Sequence, residues 1–394
     1  MENLVSILFW VCLFLVFYTY IGYGIILWIA VKIKERFNPP RKLELPEPLP
    51  EVTLFIAAYN EEKEVVAKME NCYSLDYPKD KLHIFWVTDG SNDATNDKLA
   101  KYQDVTILFQ PERRGKTAAI NRGMPYVTTP IVVFTDANTS INREAIKELV
   151  KAFTDSRIGC VAGEKRIDAK EKDVVSSGGE GAYWRYESAL KDLDSRLCTA
   201  VGAAGELFAI RTSLFQEMPE DTLLDDFVLS LQIALIGYRI AYCRSAYATE
   251  RASLNMQEEE KRKVRIAAGG IQAIGRLWPL FNIFRYKCLS FQYISHRVLR
   301  WTVTPVALLL LLPLNLFLLY PEAASVWLYQ VFAAGQLLFY LLAVLGWILS
   351  KKSIRTKYLF IPYYFLFMNL NVFKGIAYLK NFKGLAVWEK AKRQ

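Results

Sequence analysis

From residue 4 to residue 31 the chain carries no charged side chain. A helix needs roughly 20 apolar residues to cross the hydrocarbon core of a bilayer, so this run is long enough to span one. It lacks a basic start and a small-residue cleavage site, and therefore reads as a retained anchor over residues 1–31 rather than a signal peptide. Lys32, Lys34 and Arg36 follow at once, which places that end in the cytoplasm. Five prolines (Pro39, Pro40, Pro46, Pro48, Pro50) then make residues 32–50 a stiff spacer.

The other apolar blocks lie near the C-terminus, within residues 301–379. Residues 301–320 and 326–349 are each long enough to cross, with a tight hairpin between them. Lys351, Lys352, Arg355 and Lys357 mark a return to the cytoplasm. Residues 358–379 contain Pro362, Asn369, Asn371 and Lys374, which are costly in lipid, so this block is expected to be interfacial or re-entrant. The tail, residues 380–394, is basic and is expected on the cytoplasmic side.

Composition fits a mixture of aqueous domain and membrane segments. Hydrophobic residues make up 53% of the chain, too many for an ordinary soluble protein; charged residues make up 23%, too many for an all-membrane bundle. The 14% aromatic content supplies surface to bury and excludes intrinsic disorder. The six cysteines are scattered and read as free thiols in a reducing compartment, and two histidines argue against a His-rich zinc site.

Residues 51–270 read as one large aqueous α/β domain. Short runs rich in Val, Ile and Phe (52–57, 84–88, 105–109, 131–135) alternate with helical patterns at 61–72, 93–101, 116–123 and 142–153. Ser140 and Asn142 are expected to cap the last helix. The alternation predicts a doubly wound sheet with ligands where strand C-terminal ends meet loops. Residues 271–300 mix Trp, Phe, Tyr and Arg and read as amphipathic helices on the membrane surface. A nucleic-acid role for the basic residues is disfavoured, because anionic lipid accounts for charges that flank membrane segments.

Several constellations could carry chemistry. Asp136 ends a hydrophobic run and could hold Mg²⁺ or Mn²⁺ through oxygen ligands, or could simply close a turn. The segment from Asp89 to Asp93 could contact a nucleobase or ribose, or form an Asx turn. Arg113, Arg114, Gly115 and Lys116 open a helix, where cations and free N–H groups suit a diphosphate; a solvated basic loop is the alternative. Asp225 and Asp226 open an apolar helix, either as dipole partners or as a base for a sugar hydroxyl. The charged run 258–265 reads as a helical face, or brings Arg265, with Arg262 or Lys263, to a leaving diphosphate. No nucleophilic Ser or Cys has a local base, which speaks against covalent catalysis.

Taken in this order, the pieces resemble the membrane-embedded family 2 glycosyltransferases, which include the hyaluronan, cellulose and poly-N-acetylglucosamine synthases. The resemblance implies a GT-A-type, Rossmann-like nucleotide-sugar domain joined to transmembrane and interfacial helices. It implies that Tyr59 and Glu61 lie in the first nucleotide loop, that Asp89 and Gly90 contact the uridine, and that Lys116 and Asn121 lie near the base and phosphates. It places Asp136 and Asn138 at the metal motif, and residues 205–211, with Gly205 and Glu206, in a loop beside the acceptor. Asp226 would be the general base and Asp225 would position the acceptor. Arg265 would assist the leaving diphosphate, and Arg262 would take the Gln position of Gln-x-x-Arg-Trp. Two departures stand out: Asn138 replaces an Asp of the metal motif, and Ile266 replaces the Trp on which an acceptor sugar stacks in chain-building members. Trp388 resembles a C-terminal Trp motif of some synthases.

The function so implied is an inverting transfer from a UDP-sugar to a hydroxyl of a growing polysaccharide or membrane-linked glycan, with Mg²⁺ or Mn²⁺ as cofactor. The enzyme would sit in the cell membrane, a bacterial inner membrane, with its catalytic domain cytoplasmic, and could work with accessory secretion subunits. The alternatives are single-sugar transfer to a lipid or polyprenyl-phosphate acceptor, and a non-catalytic nucleotide-sugar-binding membrane subunit.

Overall fold

A computed structural model describes residues 2–40, 43–168, 174–320, 326–351, 357–382 and 384. The runs at 52–57, 84–88, 105–109 and 131–135 form strands β1 (Val52–Ala58), β2 (Leu82–Asp89), β3 (Val105–Gln110) and β4 (Ile131–Thr135). They are parallel, with Val52 opposite both Leu82 and Ile131. The short β5 (Thr139–Ile141), then β6 (Ile158–Asp168), β7 (Leu207–Arg211) and β8 (Arg239–Arg251), extend the sheet to the order β3-β2-β1-β4-β7-β6-β8-β5. β7 is antiparallel to both neighbours. Residues 207–211, expected as part of a loop, are thus a strand, because alternate side chains such as Phe208 and Ile210 fill the core beneath β4.

Both faces of the sheet are covered, as a parallel core requires. Leu54 and Ile56 of β1 point to one face, packed by α3 (Val65–Tyr73), α4 (Thr95–Leu99) and α6 (Ala145–Ala152). Phe55 points to the other, with α5 (Lys116–Gly123) and α8 (Asp225–Leu235). Asn142 does not cap α6, and Ser140 lies within β5. Instead the Asn142 amide bridges Ser245 and Tyr247 of β8, which leaves it no atom for the helix.

The chain moves from β1 outward through β2 and β3 and then crosses back to β4 on the other side of β1. The point between β1 and β4 is therefore the topological switch, where a crevice opens at the strand C-termini.

The N-terminal run forms α1 (Glu2–Phe17) and α2 (Tyr23–Phe37), continuous through one π turn. The helix extends beyond the expected boundary at residue 31, because its end is fastened to α7 (Val174–Leu197). Lys34 Nζ donates to the carbonyls of Arg196 (2.7 Å) and Leu197 (2.8 Å), orphans of a helix C-terminus.

Likewise α9 (Met256–Arg276) runs through the expected domain boundary at 270. It is followed by α10 (Ile283–Tyr286), α11 (Cys288–Tyr293) and α12 (Leu299–Trp301). This segment shows Trp278 and Phe284 to the outside, yet Leu289, Tyr293, Val298 and Trp301 enter the core of the sheet domain.

The crossing expected at 301–320 is not one straight helix. α13 (Val303–Phe317) is bent by 51° against residues 288–301, with Thr302 out of helical conformation at the break. Pro305, which has no N–H to give, falls in the first turn beyond it. α14 (Val326–Lys351) and α15 (Lys357–Asn381) are long and apolar enough to cross a membrane, as is the N-terminal helix.

The block expected to be interfacial or re-entrant is thus a continuous helix of membrane-spanning length. Its polar residues face protein: Tyr20 donates to Asn369 Oδ1 (2.7 Å), Asn371 is buried, and Lys374 pairs with Glu260 of α9. Trp388 and most of the basic tail lie outside the described residues. All six cysteines are unbridged.

Candidate active site

A cavity of about 340 Å³ opens at the switch point. Its first wall comes from strand ends. Tyr59 and Glu61 follow β1, and the Arg113 guanidinium lies 3.7 Å from the centre of the Tyr59 ring. Asp89 ends β2, and its carboxylate accepts from the backbone N–H groups of Arg114 (3.0 Å) and Gly115 (2.6 Å). It therefore shapes the loop that leads into α5 and also lines the cavity, where sequence reasoning expects a nucleoside contact. Gly90 does not line the cavity. It has φ +69°, and a Cβ there would stand 2.6 Å from Arg113 N, so glycine is required by a backbone crossing. Asn121 is not brought to the cavity either: it is buried, with its amide on both backbone polar groups of Met218. Its position on the inner face of α5 explains this, since that face packs on the sheet.

Lys116, the first residue of α5, is the hub. Its ammonium donates to Asp136 Oδ1 (2.7 Å) and lies 3.7 Å from Asp225 Oδ2. Burial by itself would lower its pKa; Asp136 and Asp225 outweigh that and raise it well above the ordinary lysine value. The loop that carries Asp136 is tied from beneath by buried Lys68, which donates to Thr135 Oγ1 (3.0 Å) and the Thr139 carbonyl (2.8 Å). Burial pushes the Lys68 ammonium down to about 8.

Asp225 and Asp226 open α8 as the sequence suggests, and both face the cavity. Gly205 sits against them, where an added Cβ would be 3.4 Å from Asp226 Oδ2 and 3.2 Å from Lys116 Nζ. Burial, then the charge of Asp225, pushes the Asp226 carboxyl up to about 6, against the pull of Lys116. That is the range of a carboxylate able to take a proton near neutral pH.

Glu206 lines the cavity but is paired with buried Lys165, which also holds Glu250. Burial raises a carboxyl pKa, yet Lys165 and Arg262 outweigh it and hold Glu206 far below the usual range. The Asn138 amide nitrogen lies 3.4 Å from Glu250 Oε1, which turns its carbonyl away from that carboxylate.

Asp136 and Asn138 offer only oxygen ligands, the donor set of Mg²⁺ or Mn²⁺. Among the described residues no three acidic, His or Cys side chains converge on a metal-sized site. A cation here would therefore need further oxygens from a bound diphosphate.

The opposite wall comes from α7, α9 and the bent segment before α13. Arg262, Arg265 and Ile266 face the cavity from α9, with Arg262 3.3 Å from Glu259. Tyr183, Trp184, Glu187 and Lys191 come from α7, and Arg297 and Trp301 from the segment before α13. Sequence reasoning singled out Arg262, Arg265 and Ile266 on this wall but missed the residues from α7 and the segment before α13. The spacing of Tyr183, Glu187 and Lys191, four residues apart on one helical stripe, was the available signal.

Three comparisons bear on this arrangement. The chain is 23% identical over 276 residues to "Probable glycosyltransferase YdaM" of Bacillus subtilis (strain 168), covering 64% of this chain and 63% of that protein. It is 26% identical over 275 residues to the poly-beta-1,6-N-acetyl-D-glucosamine synthase of Staphylococcus aureus (strain COL), covering 67% of this chain and 64% of that one. The chain thus spans a little under two thirds of the length of these curated relatives. In fold it is similar to a mannosyltransferase from Pyrobaculum calidifontis solved with GDP-Man and Mn²⁺, with a TM-score of 0.71, 20% identity, and coverage of 95% of this chain and 99% of that one. Residues 53–218, which hold β1 to β4 and the Asp136 loop, match the model of Glycosyl transferase family 2, so this GT-A-like α/β chain carries a family 2 glycosyltransferase domain.

Proposed function

We propose that the chain is an inverting glycosyltransferase of the membrane, with its α/β domain on the cytoplasmic face and a UDP-sugar as donor. The observation that carries this reading is the convergence of Lys116, Asp136, Asp225 and Asp226 in one cavity at the switch point of the sheet, with the Asp226 carboxyl pushed up to about 6. Tyr59 and Arg113 form a stacked pair at the edge for the nucleoside, and Lys116 with Arg265 supplies cationic charge for the diphosphate.

Asp226 accepts the proton of the acceptor hydroxyl as that oxygen attacks the anomeric carbon. The bond from that carbon to the diphosphate oxygen breaks, its electron pair leaves with UDP, and attack from the opposite face inverts the centre. Asp225 holds the acceptor and, by its charge, keeps Asp226 basic. A Mg²⁺ or Mn²⁺ would be held by Asp136 and Asn138 and would supply further charge neutralisation to the diphosphate.

The acceptor is a growing polysaccharide or a membrane-linked glycan, in keeping with a relative named as a poly-N-acetylglucosamine synthase. One observation favours the second reading, transfer of one or a few sugars to a lipid-linked acceptor: Ile266 lines the cavity at the position of the expected stacking Trp.

The test is a screen of nucleotide sugars for release of UDP by the purified protein, with and without lipid acceptors, followed by product sizing. Donor-specific UDP release is expected; a ladder of long products means polymer synthesis, and single additions mean the second reading. A protein that releases no nucleoside diphosphate from any donor would leave only the non-catalytic subunit.

A further inference from the structure

Among the described residues two cations that face the cavity, Lys191 and Arg265, have no hydrogen bond or ion pair, and Lys191 is the more deeply buried. Its side chain is 4% exposed and lines the cavity, yet among the described residues no hydrogen bond or ion pair reaches its ammonium. Lys116 has Asp136 and Asp225, Lys165 has Glu206 and Glu250, and Arg297 has Glu187. Glu187, Asp226 and Glu206 influence Lys191 through space, but none is close enough to pair with it. Glu187 is already held by Arg297, Arg300 and His296. A buried charge without a partner is costly, and its retention calls for a ligand that supplies the counter-charge.

Placement says which ligand. The donor end of the cavity has its own cations, Arg113 and Lys116, at the strand termini. Lys191 stands on the other wall, on α7, beside Arg297 and Trp301, which end the segment that bends into the membrane-length pair 288–317. Asp226, which takes the acceptor's proton in the reading above, acts on Lys191 through space, so Lys191 stands on the acceptor's side of the cavity.

We infer that Lys191 forms an anion subsite for the acceptor, filled by a phosphate that the acceptor carries close to its attacking oxygen. The inference rests on the glycosyl-transfer reading above and narrows its acceptor to a phosphate-bearing molecule. Burial and the neighbouring Arg297 charge hold the Lys191 ammonium below the ordinary lysine value, so an arriving phosphate raises it again.

The experiment is direct binding to the full-length protein in neutral detergent, with phytanyl phosphate, phytanol, inorganic phosphate and UDP as separate probes. Wild-type protein is expected to bind phytanyl phosphate about tenfold or more tighter than phytanol, the scale of one charge-assisted contact. Lys191→Met should erase that difference, Lys191→Arg should keep it, and UDP affinity should stay unchanged in both. Tighter binding of phytanyl phosphate than of inorganic phosphate assigns the subsite to a phosphate carried by a lipid acceptor; equal binding makes it a site for the free anion and overturns the acceptor assignment.

The inference is overturned if Lys191→Met binds phytanyl phosphate like wild type, or if UDP affinity falls by the same factor, which would make Lys191 a donor group. It is also overturned if Lys191→Met only shifts the acid limb of UDP release, which would make it a tuner of Asp226. Lys191→Arg guards against a folding defect of the Met variant. Probe binding needs no donor, so a wild-type protein that releases no UDP sinks the parent reading while this measurement still stands on its own.

Discussion

Two buried charge clusters lie side by side in this protein and are finished differently. In the cluster that begins at the α7 wall of the cavity, Glu187 is held by Arg297, Arg300 (3.0 Å) and His296 (3.3 Å), and Asp194 by His296 (2.6 Å), Tyr23 (2.5 Å) and Gln292 (3.1 Å). Both carboxylates stand on α7, and their donors come from α2 and residues 288–301. In the cluster within the cavity, Lys116 serves two carboxylates, Asp225 Oδ2 accepts no hydrogen bond, and Asp226 makes no ion pair among the described residues. The carboxylates of the first are saturated, although among the described residues Arg300 Nε and Nη2 and Gln292 Oε1 have no hydrogen-bond partner, and the cluster fastens α2 to the α/β domain. The second is left incomplete, and incompleteness at a concave site is what a ligand or a proton transfer needs.

The largest effect expected from breaking this contrast is on turnover. Asp226→Asn should lower the rate of sugar transfer by about 10²–10⁴-fold while UDP binding is retained, measured by UDP release beside calorimetric titration. Near-normal turnover would remove Asp226 from the role of base. In the saturated cluster the effect should fall on stability. Glu187→Ala leaves buried cations without their carboxylate and should cost about 3–5 kcal/mol, read as a lower midpoint of thermal unfolding in detergent.

Asp136→Ala should weaken metal-dependent UDP binding by about 10–100-fold, the worth of one charge-assisted contact, and an unaltered response to Mn²⁺ would refute that assignment. The smallest effect is also the most discriminating. The Asp226 carboxyl rises from 3.8 to about 6 on folding, so between those values the folded state binds more protons than the unfolded one. Stability contributed by the protonated group is full below pH 3.8 and is lost as pH rises through about 6. Asp226→Asn should therefore be more stable than wild type at neutral pH, by on the order of 1–2 kcal/mol, and should lose this pH dependence. Wild-type activity should show the opposite trend, rising through about pH 6 as the base ionises. A variant that gains stability while losing turnover would mark Asp226 as a site held under electrostatic strain for function.

Legibility differed between the two walls of the cavity. The strand-end wall was readable because local pattern sets it: apolar runs of strand length, each followed by a polar cluster, put Tyr59, Asp89 and Asp136 at one edge of a parallel sheet. Asp225 and Asp226 were readable because a carboxylate pair opens an apolar helix. Gly90 and Asn121 sit in the same motifs but were misjudged, because whether a motif residue faces a ligand or a neighbouring backbone depends on the loop that crosses it. Here those loops are Arg113 and Met218, the latter almost 100 residues downstream.

The amino-acid order alone determined that the chain joins membrane-length helices to a doubly wound α/β domain, since periodicity and run length are local properties. Only the tertiary structure decided that α15 hides its asparagines against protein, that 288–301 bends back into the sheet's core, and that Lys191 meets the cavity without a partner. Each of those depends on contacts between segments far apart in the chain, and pairing of buried charge is decided by what stands within a few ångströms rather than by what is adjacent in sequence.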